Sequence, residues 1–281
     1  MNPHINLSGK ICCITGGTSG IGKETARELA RMGATLVLPA RNMELAKQVQ
    51  QEIIAETGNT HIDIMPCDFT SLVSVMTFAK AFQAKYDKLH ILVNNAGIME
   101  GSRKVSRDGI ELTFAVNHLA PFLLTKLLLE TLKASAPARI VNVASEAHKN
   151  GVMNFHDIEG KEKYSGWKAY AQSKLANILF TRKLAQSLLG TGVTVNSLHP
   201  GVVATNIFNI IPAFLRPIAK LFMLSPADGA ETTIFLASSA DVDNITGEYF
   251  NKKKVALTST SAQSTDLAER LWTVSEQYVS V

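Results

Sequence analysis

The sequence predicts a doubly wound α/β fold, one parallel sheet with helices on both faces, and three observations predict it. Short apolar runs alternate with longer stretches of helical periodicity from one end of the chain to the other. A glycine-rich turn, Thr15 to Gly22, stands between the first run and the first helix. No Pro/Ser/Gly-rich linker, charge block, low-complexity tract or internal repeat divides the 281 residues. With 46% hydrophobic side chains the chain can bury a substantial core, so a single domain over 1–281 is expected.

Taken in order, Lys10 to Thr15 is an apolar run ending in glycines, and Lys23 to Met32 follows with a helical period. Ala34 to Leu38 reads as the second strand, Met43 to Thr57 as a helix, and Thr60 to Met65 as the third strand. Ser71 to Tyr86 is helical, with Thr70 or Ser71 as its cap. Leu89 to Val93 and Ala138 to Val143 have the composition of buried strands. Between them a long helix covers Gly109 to Ala134, where Pro121 should impose a bend or local break. A helix from Trp167 to Leu189, a strand from Val193 to Leu198, a helix from Pro226 to Ser238 and a strand from Gly247 to Phe250 complete the alternation. A last helix is expected at 266–278.

Charge and cysteine usage exclude several classes. The 28 basic and 24 acidic residues are interspersed and leave a net charge of +4, which gives no nucleic-acid footprint. The one dense basic run, Lys252 to Lys254, reads as a solvated loop with at most weak affinity for anionic lipid. Met1 to Gly9 lacks the charged and apolar regions of a signal peptide or anchor, so a cytoplasmic protein is expected. Cys12 and Cys13 lie in a strand, where neighbours point to opposite faces, and with Cys67 they read as reduced core thiols. No His/Cys/carboxylate cluster has zinc spacing, so no metal is expected.

In a doubly wound sheet, ligands bind beyond the carboxyl ends of the strands, and the chemistry-bearing residues fall there. Tyr170 and Lys174 are four residues apart, side by side on one helical face. A phenol loses its proton near pH 10, and an ammonium a few ångströms away should lower that value, making Tyr170 a general acid or base. Ser145 follows the Ala138 to Val143 strand, and its hydroxyl can donate to a substrate carbonyl. His148 is read as a solvated loop histidine, with substrate contact as the alternative. In the turn, Gly16, Gly20 and Gly22 permit close approach of backbone to a pyrophosphate, with Thr18, Ser19 and Ile21 lining it. After the second strand stand Arg41 and Asn42, with no carboxylate in Leu38 to Asn42. A guanidinium there suits the extra phosphate of NADP, where an NAD site normally has Asp or Glu, so NADP is the expected cofactor.

These motifs together resemble the short-chain dehydrogenase/reductase family. The resemblance rests on Thr15 to Gly22, Cys67-Asp68-Phe69, Asn94-Asn95-Ala96-Gly97, Asn117, Ser145, Tyr170 with Lys174, and Pro200-Gly201. Ser145 to His148, Ala169 to Arg182 and Leu198 to Val203 look most like its retinol dehydrogenase branch. The resemblance implies a Rossmann fold of about seven strands in the order 3-2-1-4-5-6-7. It implies Asp68 and Phe69 beside the adenine, and Asn95, Ala96 and Gly97 under the adenine ribose. By the same resemblance Asn117 holds a water that links Lys174 to solvent; a hydrogen bond across a helix kink is the competing account. Pro200 and Gly201 would cover the nicotinamide, and Val203 and Thr205 its carboxamide and phosphate. Asn117, Ser145, Tyr170 and Lys174 would form the catalytic set, Tyr170 and Lys174 also binding the cofactor, with Lys174 on the nicotinamide ribose, and hydride would pass between nicotinamide and a carbonyl or alcohol carbon.

The apolar run 207–224, broken by two prolines and two cations, is too interrupted to span a membrane. It is expected to act as a substrate lid within 202–225, with peripheral lipid contact or a dimer contact as the other readings. Its composition suits a small hydrophobic substrate such as a retinoid or lipid aldehyde. A broad-specificity carbonyl reductase or steroid dehydrogenase is the alternative, and a non-catalytic NADP(H)-binding sensor or scaffold a more distant one. A homo-oligomer, dimer or tetramer, is implied by resemblance, through the long helices after the fourth and fifth strands, unless the 207–224 run or the last helix blocks it.

Overall fold

The computed structural model describes residues 5–202 and 224–280. Strands β1 (Ile11–Ile14), β2 (Thr35–Ala40), β3 (Ile62–Pro66), β4 (Ile91–Asn94), β5 (Ala138–Val143), β6 (Val193–His199), β7 (Tyr249–Asn251) and β8 (Lys254–Val255) form one sheet in the order β3-β2-β1-β4-β5-β6-β7-β8. All pairs are parallel except β7 with β8. β8 adds one antiparallel strand to the expected seven. Its hairpin turn is the basic run itself, since Lys252 and Lys253 take positive φ angles of 50° and 63°. β2 also runs two residues beyond the expected Leu38, through Pro39. Its pairing with β1 ends at Val37, so the missing Pro39 N–H costs that ladder nothing, and pairing with β3 continues to Ala40.

Adjacent strand residues feed two separate cores, as period-2 alternation requires. Cys12, Ile14, Leu36, Leu38, Ile91 and Val93 face one side. They are covered there by α1 (Gly20–Arg31), α2 (Met43–Thr57) and α6 (Pro226–Ser238), through Leu29, Ile53 and Leu236. Cys13, Val37, Leu92, Ile140 and Val195 face the other side. There they meet α3 (Leu72–Lys85), α4 (Leu112–Ala134), α5 (Gly166–Ser187) and α8 (Thr265–Val279), with the short α7 (Thr260–Gln263) beside them. The three cysteines are free and buried, and burial pushes their thiols up, so they stay protonated and inert.

α4 is apolar and long enough to cross a membrane, yet here it is a largely buried core helix of the sheet's second face. Its irregularity lies just ahead of Pro121. Ala115–Leu119 forms a π-turn, one residue wider than an α-turn, which absorbs the bend the proline demands.

Candidate active site

The carboxyl ends of β1, β4 and β5 converge, and hydrogen bonds lace them together. Thr15, the first residue after β1, accepts backbone N–H bonds on its Oγ1 from Asn95 (2.9 Å) and Ala96 (2.9 Å). Asn95 returns a bond from Nδ2 to the Thr15 carbonyl at 2.8 Å. Asn95 is therefore a brace for the glycine turn. In that turn Gly16 and Gly20 adopt φ values of +67° and +51°, closed to most side chains. A Cβ on Gly22 would come within 2.2 Å of the Gly16 carbonyl and 2.4 Å of Asn95 Nδ2, so only glycine lets α1 start this close to the sheet. Ser19 caps α1 without spending its side chain, and Thr18 and Ile21 are partly exposed beside it. The first N–H groups of α1 and the positive end of its dipole thus face the turn, an arrangement suited to a pyrophosphate.

At the end of β2, Arg41 is exposed and, among the described residues, joins no ion pair. Asn42 is already in use, because its Oδ1 accepts from Leu45 N at 3.0 Å and caps α2. Asp68 is likewise engaged, accepting from Thr70 N (3.0 Å) and Thr70 Oγ1 (2.8 Å) and pairing with Arg107 at 3.4 Å. Phe69 packs against the second core.

The second cluster lies where β5 and α5 meet. Lys174 is only 3% exposed, and its Nζ donates to the Val143 carbonyl at 2.9 Å, 5.5 Å from the Tyr170 ring centre. Gly97 closes the gap toward β4: a Cβ there would lie 3.5 Å from Lys174 Nζ and 3.4 Å from Asn117 Oδ1. Ser145 follows β5 and its Oγ accepts from Ala147 N at 3.2 Å, which starts the 3₁₀ turn Glu146–Asn150. Asn117 sits in the π-turn, fully buried. Its Oδ1 accepts from Ile98 N (2.8 Å), while Nδ2 donates to Ile98 O (2.9 Å) and Ser173 Oγ (2.9 Å). These are direct structural bonds across the helix irregularity. They tie the loop after β4 to α5, because Ser173 Oγ in turn donates to the Tyr170 carbonyl at 2.8 Å.

Two expectations are corrected. Tyr170, 8% exposed, is not acidified: burial pushes its phenol up to about 12, with only hydrogen bonding by Ser145 opposing the rise. The neighbouring cation is itself weakened, since burial brings Lys174 down to about 8 and its ammonium is turned to Val143 O. Nor is His148 a solvated loop residue. It is 0% exposed, stacked edge-on against Tyr249 with ring centres 4.9 Å apart. Ser259 N donates to its Nε2 at 3.2 Å, so its proton is on Nδ1, which donates to the Ser145 carbonyl at 2.7 Å. His148 holds the Ser145 turn in place.

Sequence reasoning missed three polar residues beside this cluster. His199 Nδ1 accepts from Glu146 N (3.3 Å), Tyr249 OH donates to Glu146 Oε1 (2.8 Å), and Asn177 Nδ2 shares the Val143 carbonyl with Lys174 at 3.4 Å. Only Asn177 carried a local signal, standing three residues after Lys174 on the same helical face. Pro200 and Gly201 leave the end of β6. Gly201 has φ +90°, and a Cβ on it would meet Leu224 Cδ1 at 2.4 Å, where Leu224 N bonds the Val202 carbonyl at 2.8 Å. Val203, Thr205 and all of 207–224 except Leu224 lie outside the described residues.

Comparison with known proteins finds relatives over nearly the whole chain. Residues 10–214 match the family model for short chain dehydrogenases. Retinol dehydrogenase 12 of Mus musculus is 43% identical over 280 residues, 99% of this chain and 89% of that protein. A crystal structure of a protein from Mycobacterium paratuberculosis superposes with a TM-score of 0.81 at 31% identity, covering 98% of this chain and 95% of the other. The Pseudomonas aeruginosa RhlG/NADP active-site complex superposes at 0.73 and 27% identity, covering 89% and 97%.

Proposed function

The chain belongs to the short-chain dehydrogenase/reductase family, oxidoreductases of alcohol and carbonyl groups, and from that premise we propose an NADP(H)-dependent enzyme whose substrate is a hydrophobic retinoid or lipid aldehyde/alcohol. The observation that carries the proposal is the convergence of Ser145, Tyr170 and Lys174 beside a glycine turn that a single added Cβ at Gly22 would close. The residues present fit a dinucleotide. The N-terminus of α1 with Gly16, Thr18, Ser19, Gly20, Ile21 and Gly22 would take the pyrophosphate, and Gly97, Pro200 and Gly201 the space toward Tyr170. Asp68, Phe69, Asn95 and Ala96 would stand beside the adenosine; Asn42, Val203 and Thr205 remain part of the proposed set. When bound, the nicotinamide supplies or accepts the hydride.

The chain's own residues handle the proton. In the reductive direction the Tyr170 hydroxyl gives its proton to the oxygen of the substrate as negative charge develops there. With its pKa raised by burial, the phenol holds its proton at physiological pH and has it available to donate. The Ser145 hydroxyl donates to the same oxygen, and one such donor contributes about 3 kcal/mol of transition-state stabilisation in comparable sites. In the oxidative direction Tyr170 must first lose its proton, and there the Lys174 ammonium, where it keeps its charge, would oppose the burial cost of the phenolate. Asn117 keeps Tyr170 and Gly97 in register, since it bonds both the loop after β4 and Ser173. Arg41 supports NADP over NAD: it is an exposed cation at the end of β2 with no carboxylate in 38–42. The RhlG relative is described with NADP, which points the same way.

NADPH consumption measured against all-trans-retinal, medium-chain aldehydes, quinones and ketosteroids tests the reading and separates it from a broad carbonyl reductase or steroid dehydrogenase. Tyr170→Phe should lower turnover at least about a hundredfold while nucleotide affinity is nearly kept. Near-normal turnover in that variant would refute the assignment of Tyr170. Arg41→Ala should raise the KM for NADPH and leave that for NADH unchanged; equal constants for both cofactors in the parent would defeat the NADP reading.

A further inference from the structure

A second aromatic ring flanks Tyr170, and nothing in the proton chemistry uses it. Trp167 precedes Tyr170 by three residues on α5, with ring centres 6.3 Å apart and planes inclined by 34°. Side chains on a helix lean toward its N-terminus, so the indole lies ahead of the phenol. It is 49% exposed, which leaves a large apolar face in water beside a buried reactive group. The other tryptophan behaves differently: Trp272 is packed against Phe122 and Phe180, with ring centres 5.1 and 6.0 Å away. From the loop after β4, Met99 packs against Tyr170 and its neighbours Ala147 and Ala171.

The position of this indole is also constrained. A Cβ on Gly166 would meet the Glu100 carbonyl at 2.1 Å, so the first turn of α5 is seated directly on the loop that carries Met99. Tyr164 OH reinforces the seat by donating to Glu111 Oε1 at 3.0 Å. An indole has only two side-chain torsions, so holding the backbone holds most of the ring's placement.

We infer that Trp167 is a specificity-determining residue, a flat platform that, continued by Met99, receives the planar apolar body of an extended carbonyl substrate whose oxygen is met by Tyr170. The inference rests on reading Tyr170 as the proton donor. A conjugated chain or fused ring gains both apolar area and offset stacking on an indole face, and a thioether adapts to its edge. A two- or three-carbon aldehyde reaches Tyr170 without touching either.

The test uses the full chain with NADPH and compares parent, Trp167→Ala and Trp167→Phe. The ratio of kcat/KM for all-trans-retinal to that for propanal should fall about tenfold in Trp167→Ala, the loss expected for part of a large apolar contact, and largely recover in Trp167→Phe. An unchanged ratio in Trp167→Ala overturns the platform. Titration of each protein with all-trans-retinol, followed by the ligand's own fluorescence, gives a readout independent of turnover. Trp167→Ala should bind it about tenfold more weakly. If the parent reduces no carbonyl yet shows Trp167-dependent retinol binding, the hydride-transfer reading fails and the platform stands. If the parent reduces retinal while Trp167→Ala binds retinol as the parent does, the platform fails and the enzymatic reading stands.

Discussion

At the residue scale, the proposed chemistry turns on two buried groups whose ionisation moves in opposite directions. Burial raises Tyr170 to about 12 and lowers Lys174 to about 8, because each loses the water that would solvate its charged form. For reduction the phenol must be protonated, and the Lys174 ammonium would stabilise the phenolate left once that proton is given up. Reductive kcat/KM is therefore expected to be level near neutrality and to fall as pH rises through about 8, where Lys174 loses its proton. A pH profile checks this, and Lys174→Arg, if active, should carry the limb to higher pH. The same shift has a stability consequence of definite sign. Between about 8 and the ordinary lysine value of 10.5, the unfolded chain holds a proton that the folded chain does not, so stability rises with pH across that window. Below it the cost of burying the ammonium is fully present. Lys174→Met should accordingly unfold at higher urea than the parent at pH 7, and the difference should shrink above pH 10. A lower midpoint at pH 7 would show that the Val143 bond outweighs the burial cost.

At the element scale, the π-turn at Ala115–Leu119 is what brings Asn117 to Ile98 and Ser173. An unbroken α-helix would have rotated the following residues by one position. Asn117→Ala leaves the Ile98 N–H and C=O without their partner, at a cost of about 1–3 kcal/mol for each group that water cannot reach. It should lower the urea midpoint and raise the KM for NADPH together, because Gly97 moves with Ile98. The next residue extends the same turn outward. His118 Nε2 bonds Ser275 Oγ on α8 at 2.8 Å, and its Nδ1 is buried without a hydrogen-bond partner among the described residues. Burial lowers His118 to about 3, so it stays a neutral connector at all physiological pH.

At the scale of the whole molecule, α8 is the strap over the second face. Lys126 pairs with Glu276 at 2.7 Å, Lys183 pairs with Glu269, and Trp272 lies against Phe122 of α4 and Phe180 of α5. α4 and α5 are the helices through which the family resemblance implies assembly, so an oligomer of that kind must accommodate α8. Trp272→Ala should cost about 2–4 kcal/mol, less than a fully buried aromatic, measured by chemical denaturation. It should also bring concentration-dependent association in sedimentation velocity as the apolar face of α4 and α5 becomes accessible.

What the sequence determined by itself was everything that depends on local periodicity and local spacing. Alternation of apolar runs and helical stretches was enough for the doubly wound sheet. Glycines at 16, 20 and 22 marked the turn, and the interval from Tyr170 to Lys174 marked the helix face proposed to carry the chemistry. The reach of β2 through Pro39 and the strand at Lys254–Val255 were not legible, because each depends on which neighbour pairs at that register. Only the tertiary structure decided the roles of His148, Asn42 and Asn95, polar residues whose partners lie on other elements or in the backbone of a cap. It also reversed the expected acidity of Tyr170. Spacing along a helix reports that a phenol and an ammonium are neighbours, whereas their pKa values depend on how much water the rest of the fold removes.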